Sequence, residues 1–97
     1  MTTAPDLSIV VPVYNEEDNL PLLWPEIREV MATTPLRYEV VFVDDGSQDR
    51  SAEIIRELRE ADPRVRLVRL KANAGETAAT DAGFKTARGR HVVVMDA

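Results

Sequence analysis

Leu7-Ser8-Ile9-Val10-Val11-Pro12-Val13 is a β-branched run in which apolar residues follow one another almost without a break. A strand with one wet face alternates apolar with polar residues, so this strand is expected to be buried on both faces. Pro12 cannot donate to a ladder, so the strand is expected to end there. Tyr38-Glu39-Val40-Val41-Phe42-Val43 repeats the pattern and runs into Asp44-Asp45-Gly46-Ser47. From Val65 to Leu70, apolar residues alternate with Arg66 and Arg69, which suggests a more peripheral strand. His91-Val92-Val93-Val94-Met95 is a fourth.

Between these runs the apolar period lengthens. Leu20, Leu23, Trp24, Ile27, Val30 and Met31 form one helical stripe, preceded by the capping residues and acids of Asn15-Glu16-Glu17-Asp18-Asn19. Pro21 suits its first turn, whereas Pro25 removes an interior hydrogen bond and predicts a kink or restart. A second helix is expected from about Arg50 to Ala61, capped by Ser47 or Asp49, with Ile54, Ile55, Leu58 and Ala61 inward. A third runs from about Glu76 to Ala87, with Ala78, Ala79, Ala82 and Gly83 as a small face and Gly89 as C-cap. The order is βαβαβαβ. Such alternation predicts an α/β sandwich of three layers, a mainly parallel sheet with right-handed crossovers and helices on both faces.

The chain has 97 residues, 44% of them apolar, and no cysteine. That length fits at most one small domain. Zero cysteine excludes disulfides, thiolate zinc sites and cysteine nucleophiles, and leaves the redox compartment open. Twelve basic and 17 acidic residues give a formal charge of −5, which argues against a non-specific nucleic-acid binder. All of that excess lies in residues 1–35, where six acids meet one base, and a solvated helix face explains most of it. The amino terminus carries no basic, hydrophobic signal, and no apolar run approaches the roughly 18–20 residues of a membrane span.

The chemistry gathers at the strand ends. Glu16 follows the first strand, Asp44 and Asp45 end the second, and Asp96 ends the fourth. Parallel strands put all carboxyl ends on one edge, where ligands of open α/β sheets bind. Carboxylates sharing one rim repel unless a cation or hydrogen-bond donors stand between them. Neither a Walker A sequence nor GxGxxG occurs. Arg66, Arg69 and Lys71 lead towards this rim and could meet a diphosphate, although Arg66 and Arg69 read more simply as solvated strand residues. His91 starts a strand, on the wrong edge. Ser47 has no histidine beside it and reads as a cap. Trp24 and Met31 belong to the core stripe. Tyr14, an aromatic just past a buried strand, is placed to stack on a nucleobase.

Four segments together carry a resemblance. Ser8 to Glu16, Val43-Asp44-Asp45-Gly46-Ser47-Gln48-Asp49, Asn73-Ala74-Gly75 with Ala78, Ala79 and Gly83, and Val93-Val94-Met95-Asp96-Ala97 stand in order at strand ends. From Leu7 onward the chain resembles the start of a family 2 glycosyltransferase with the Rossmann-like GT-A fold. Within that family it is most similar to polyprenyl-phosphate sugar transferases of the dolichol-phosphate mannose synthase kind.

The resemblance implies a site position by position. Pro12, Tyr14 and Glu16 match the segment lining the nucleotide pocket, with Tyr14 against the base. Val43, Asp44 and Asp45 match the segment holding the base and ribose edge, with either aspartate inward. Lys71, Asn73 and Gly75 lie where the third-strand loop passes the pocket. Asp96 and Ala97 match the first two positions of Asp-x-Asp, whose acids bind ribose and a Mg²⁺ or Mn²⁺ ion on the diphosphate. On this reading residues 1–6 are a tail, and residues 7–97 are the nucleotide-sugar-binding half of a GT-A domain truncated at Asp-x-Asp. The fragment then holds no catalytic residue and at most binds nucleotide. Its parent would transfer a hexose from a UDP- or GDP-sugar to a polyprenyl phosphate or another hydroxyl acceptor, at the cytoplasmic face of the membrane.

Alternatives stay open at this point. A haloacid-dehalogenase-like phosphatase would put its nucleophile on Val43, which cannot attack. A receiver-like domain has its acid pair after the first strand, and here the pair follows the second. A non-catalytic module binding a nucleotide or a protein through the same rim remains. An unpaired sheet edge would also let two copies form a homodimer.

Overall fold

β1 (Leu7–Val13) and β2 (Tyr38–Asp44) are buried on both faces, as near-continuous apolar runs require. The structure, a computed structural model, describes residues 4–97; of the expected tail, residues 1–3 lie outside the described residues. With β3 (Val65–Arg69) and β4 (His91–Val94) these strands form one parallel sheet in the order β3-β2-β1-β4. β3 is an edge strand, in keeping with its mixed pattern.

That order fixes which face each helix covers. The chain steps from β1 to β2 to β3, then jumps back past β1 to β4. Right-handed crossovers running in opposite directions must use opposite faces. α1 (Leu20–Met31) and α2 (Ser51–Ala61) therefore pack on one face, where Leu20, Trp24, Ile27 and Ile55 meet Ile9, Val11, Val13 and Phe42. α3 (Glu76–Thr86) covers the other, with Ala79 against Val10, Val41 and Val43. Each fully buried Val, Leu, Ile or Phe contributes roughly 1.5–3 kcal/mol relative to exposure.

Several local expectations give way to tertiary context. Pro12 does not end β1, which continues to Val13 opposite Asp44. Met95 donates to the Val10 carbonyl, so even-numbered β1 residues point their backbone at β4, whose pairing stops at Val10. Pro12 thus lacks its N–H where no strand needs it.

Pro25 starts no second helix, because α1 is continuous through it. The lost bond is the one to the Pro21 carbonyl, in the first turn of the helix, where it costs least. Pro25→Ala restores that donor, and is expected to stabilise the chain by about 1–2 kcal/mol after the unfolded-state entropy of alanine is set against it. Thermal melting measures this as a rise in midpoint of at least about 4 °C.

The caps also differ from expectation. Neither Asn19 nor Arg50, the N-cap residues of α1 and α2, makes a side-chain capping bond. Asp49 Oδ1 accepts the Ser51 N–H, while Ser47 turns its hydroxyl to another loop. Val30 (63% exposed), Ala61 and Ala78 are solvent-facing although their spacing places them inward, because no element lies over them. On α3 the close contact is at Gly83, where a Cβ would sit 2.3 Å from Val10 Cγ1. Gly89 is not the C-cap; α3 ends at Ala87 in extended conformation. A Cβ on Gly89 would lie 2.6 Å from the Ser8 nitrogen, so glycine there lets the chain cross β1 closely.

The amino-terminal edge of the sheet is tied by one buried carboxylate. Glu39 accepts from Ser8 Oγ at 2.6 Å, the Arg88 N–H at 2.7 Å, and Arg66 Nη1 and Arg88 Nη2 at 3.1 Å each. Ser8 Oγ in turn accepts the Gly89 N–H at 2.8 Å. Strands β1, β2 and β3 and the α3–β4 connection meet at this group. Arg66 is thereby drawn to the edge opposite the acids.

Candidate functional site

The strand order reverses between β1 and β4, and the carboxyl ends on either side of such a reversal open a crevice. Here the crevice is a cavity of about 430 Å³, within the usual range for small-ligand sites. The β1 end contributes Pro12, Val13, Tyr14 and Glu16, and the β2 end Asp45. The loop into α3 supplies Asn73, Gly75 and Glu76, and the β4 end Asp96 and Ala97.

Of the residues nominated from the sequence, Pro12, Tyr14, Glu16, Asp45, Gly75, Asp96 and Ala97 line this cavity, and Asn73 joins them. Val43, Asp44 and Lys71 do not. Val43 is fully buried beneath α3. Asp44 is fully buried too, accepting the Ser47 N–H at 3.2 Å and Arg69 Nε at 3.4 Å. Asp45, just past the strand, is nearly as buried at 3% exposure, but it alone of the two borders the cavity. Arg69 is thus spent on Asp44, and Lys71 is exposed away from the lining. His91 stands exposed at the far edge.

Asp45 is anchored tightly. Its carboxylate accepts the Ala74 N–H at 2.7 Å, the Gly75 N–H at 3.0 Å and Asn73 Nδ2 at 3.2 Å. It therefore joins β2 to the loop that opens α3. Tyr14 is 46% exposed, with its ring available to a flat ligand. Glu16 is half-buried and accepts Asn19 Nδ2 at 2.7 Å. Behind the cavity, burial raises the Asp49 carboxyl, but hydrogen bonds from Ser51 and the Glu17 N–H outweigh it and hold its pKa below the ordinary value.

The rim acids do not form a cage. Asp44 and Asp45 are satisfied by protein donors, and among the described residues no group of three or more His, Cys, Asp or Glu is placed to hold a metal ion. Asp96 is an exposed carboxylate on the cavity. One such group fits a Mg²⁺ or Mn²⁺ ion bound chiefly through a ligand's phosphates, which is how these hard cations usually bind.

Two lining residues escaped the sequence reading, Val13 and Glu76. The signal for Glu76 was its place in the first turn of a helix starting at this edge. Val13 reads as core and is core, at 1% exposure, so nothing in the sequence marks its place in the cavity wall.

The sequence profile described as glycosyl transferase family 2 matches residues 8–97. The chain belongs to this family. An uncharacterized glycosyltransferase, YkcC, of Bacillus subtilis strain 168 is 48% identical over 90 residues, covering 93% of this chain and 28% of that protein. An undecaprenyl-phosphate 4-deoxy-4-formamido-L-arabinose transferase of Aeromonas hydrophila is 41% identical over 92 residues, covering 94% and 28%. Among solved structures, S. aureus TarS 1–349 in complex with UDP superposes with a TM-score of 0.72 at 27% identity, covering 94% of this chain and 27% of that one. Mannosyltransferase PcManGT from Pyrobaculum calidifontis, in complex with GDP-Man and Mn²⁺, gives 0.71 at 27% identity, covering 98% and 28%. The sheet and helices described above are thus those of a GT-A glycosyltransferase. This family 2 chain spans a little over a quarter of the length of the curated relatives it matches.

Proposed function

We propose that the cavity binds the nucleoside diphosphate of a sugar donor, and that the whole protein transfers a hexose from a UDP- or GDP-sugar to a polyprenyl phosphate or another hydroxyl acceptor. The observation that carries this reading is the meeting of Tyr14, Glu16, Asp45 and Asp96 in one cavity at the strand-order reversal of a family 2 chain. A flat base has a partner in Tyr14, ribose hydroxyls have acceptors in Glu16 and Asp96, and the diphosphate lies towards the β4 end. A divalent cation held there by Asp96 would neutralise charge developing on the departing diphosphate. Relatives named for polyprenyl-phosphate substrates support the acceptor class, and such a lipid acceptor supports a reaction at a membrane surface, the cytoplasmic face on this reading. Among the described residues no helix is long and apolar enough to cross a membrane. A homodimer would use the open edge of β4, where Val93, Val94 and Met95 are exposed.

Titration calorimetry of this chain with UDP and with GDP, each with Mn²⁺, tests the site. Loss of one aromatic–base stack is worth about 1–3 kcal/mol, so Tyr14→Ala is expected to weaken binding roughly 5- to 150-fold. Asp45→Ala is expected to abolish it by releasing the 73–75 loop. Unchanged affinity in both variants would show that the cavity is not the nucleotide site.

A further inference from the structure

Asn15 lies between two cavity-lining residues and does not itself line the cavity. Its φ is +52°, and it is the only non-glycine with positive φ among the described residues. Asparagine tolerates this left-handed conformation better than most residues because its short amide bonds locally. Here the amide does so across the molecule. Asn15 Oδ1 accepts the Gln48 N–H at 2.8 Å, and the Asn15 N–H donates to Ser47 Oγ at 2.9 Å. Two further bonds extend the clamp: Glu16 N–H to Ser51 Oγ at 2.9 Å and Glu17 N–H to Asp49 Oδ2 at 3.1 Å. In an extended chain Tyr14 and Glu16, two residues apart, would share a face but run on along β1. The left-handed turn instead directs the backbone after Tyr14 against residues 47–51, where the Asn15, Glu16 and Glu17 N–H groups are all held beside the cavity.

We propose that Asn15 is a positioning residue, whose clamped left-handed turn holds Tyr14 and Glu16 in the orientation that receives a nucleoside diphosphate. The proposal rests on the nucleotide reading above, so its test has one arm without ligand. Three variants separate the contributions. Asn15→Ala removes the acceptor and disfavours the turn, Asn15→Gly keeps the turn without the acceptor, and Asn15→Asp keeps both.

In the unliganded arm, heteronuclear NMR of each variant follows the Tyr14, Glu16 and Gln48 amides and the Tyr14 ring. Asn15→Ala is expected to shift all of them, Asn15→Gly chiefly Gln48, and Asn15→Asp to restore the original pattern. In the liganded arm, UDP and GDP titrations with Mn²⁺, run well below the melting midpoint, are expected to show affinity falling at least tenfold in Asn15→Ala and recovering in Asn15→Asp. A lower melting midpoint with unchanged affinity in Asn15→Ala would make the residue merely structural and overturn the proposal. Unmoved Tyr14 and Glu16 resonances in that variant would overturn it as well. If the original chain binds neither nucleotide while Asn15→Ala still displaces Tyr14 and Glu16, the turn-setting role stands and the nucleotide reading fails.

Discussion

Glu39→Ala is expected to destabilise the chain by about 3 kcal/mol, towards the lower end for a broken buried ion pair because Arg88 is more than half exposed. For a domain near 100 residues this lowers the melting midpoint by roughly 12–24 °C. The cost arises from what is left behind. Ser8 Oγ loses its acceptor at zero exposure, and the Arg66 guanidinium keeps only the Thr86 carbonyl. A domain of this size has about 5–15 kcal/mol of stability in total, so the loss is a large fraction of it. Circular dichroism melting at pH 7 measures it. A midpoint within 2 °C of the original would mean that the arginines find equivalent partners.

The same carboxylate sets an acid limit. Burial pushes the Glu39 carboxyl up, but hydrogen bonds from Ser8, the Arg88 N–H and the Arg66 and Arg88 guanidinium groups outweigh it and hold its pKa below the ordinary 4.5. The unfolded chain therefore takes up this proton first as pH falls. The stabilisation is complete above about pH 4.5 and is lost as pH drops through the lower native value. Glu39→Gln, less stable at pH 7, is expected to lose less further stability on acidification than the original chain does.

Gly46→Ala is the second large effect, expected at about 2–4 kcal/mol from a left-handed backbone and an overpacked contact together. Gly46 has φ +73°, and a Cβ there would lie 2.5 Å from the Asn73 nitrogen and 2.8 Å from the Ala72 carbonyl carbon. Both are backbone atoms, so no side chain can swing aside. The β2 turn and the loop into α3 must separate, which breaks the bonds Asp45 makes to residues 73–75. The variant is expected to melt roughly 8–32 °C lower and, at a temperature where it is folded, to bind nucleotide at least tenfold more weakly. Loss of stability with unaltered nucleotide affinity would separate the turn from the site.

Both substitutions touch features of unequal visibility in the sequence. Gly46 stands in a readable turn, Asp44-Asp45-Gly46-Ser47, and that turn pointed to the ligand edge. Glu39 was not legible, because nothing along its own strand shows that Ser8, Arg66 and Arg88 converge on it from 27 to 49 positions away. Asp44 and Asp45 were equally ambiguous: only the position of Arg69 and of loop 73–75 separates their roles.

Element type and order were readable along the chain because hydrophobic period is a local property: continuous apolar runs made β1 and β2, and three- and four-residue spacing made α1 and α2. Family membership was legible for the same reason, since its motifs are contiguous at strand ends. The exposure of Val30 and Ala78 and the partition of rim acids between anchors and cavity lining were settled by neighbours distant in sequence. Each of these depends on which donor, acceptor or apolar surface lies across the gap. A one-dimensional pattern carries period and residue chemistry, whereas burial and hydrogen-bond partners belong to the assembled sheet.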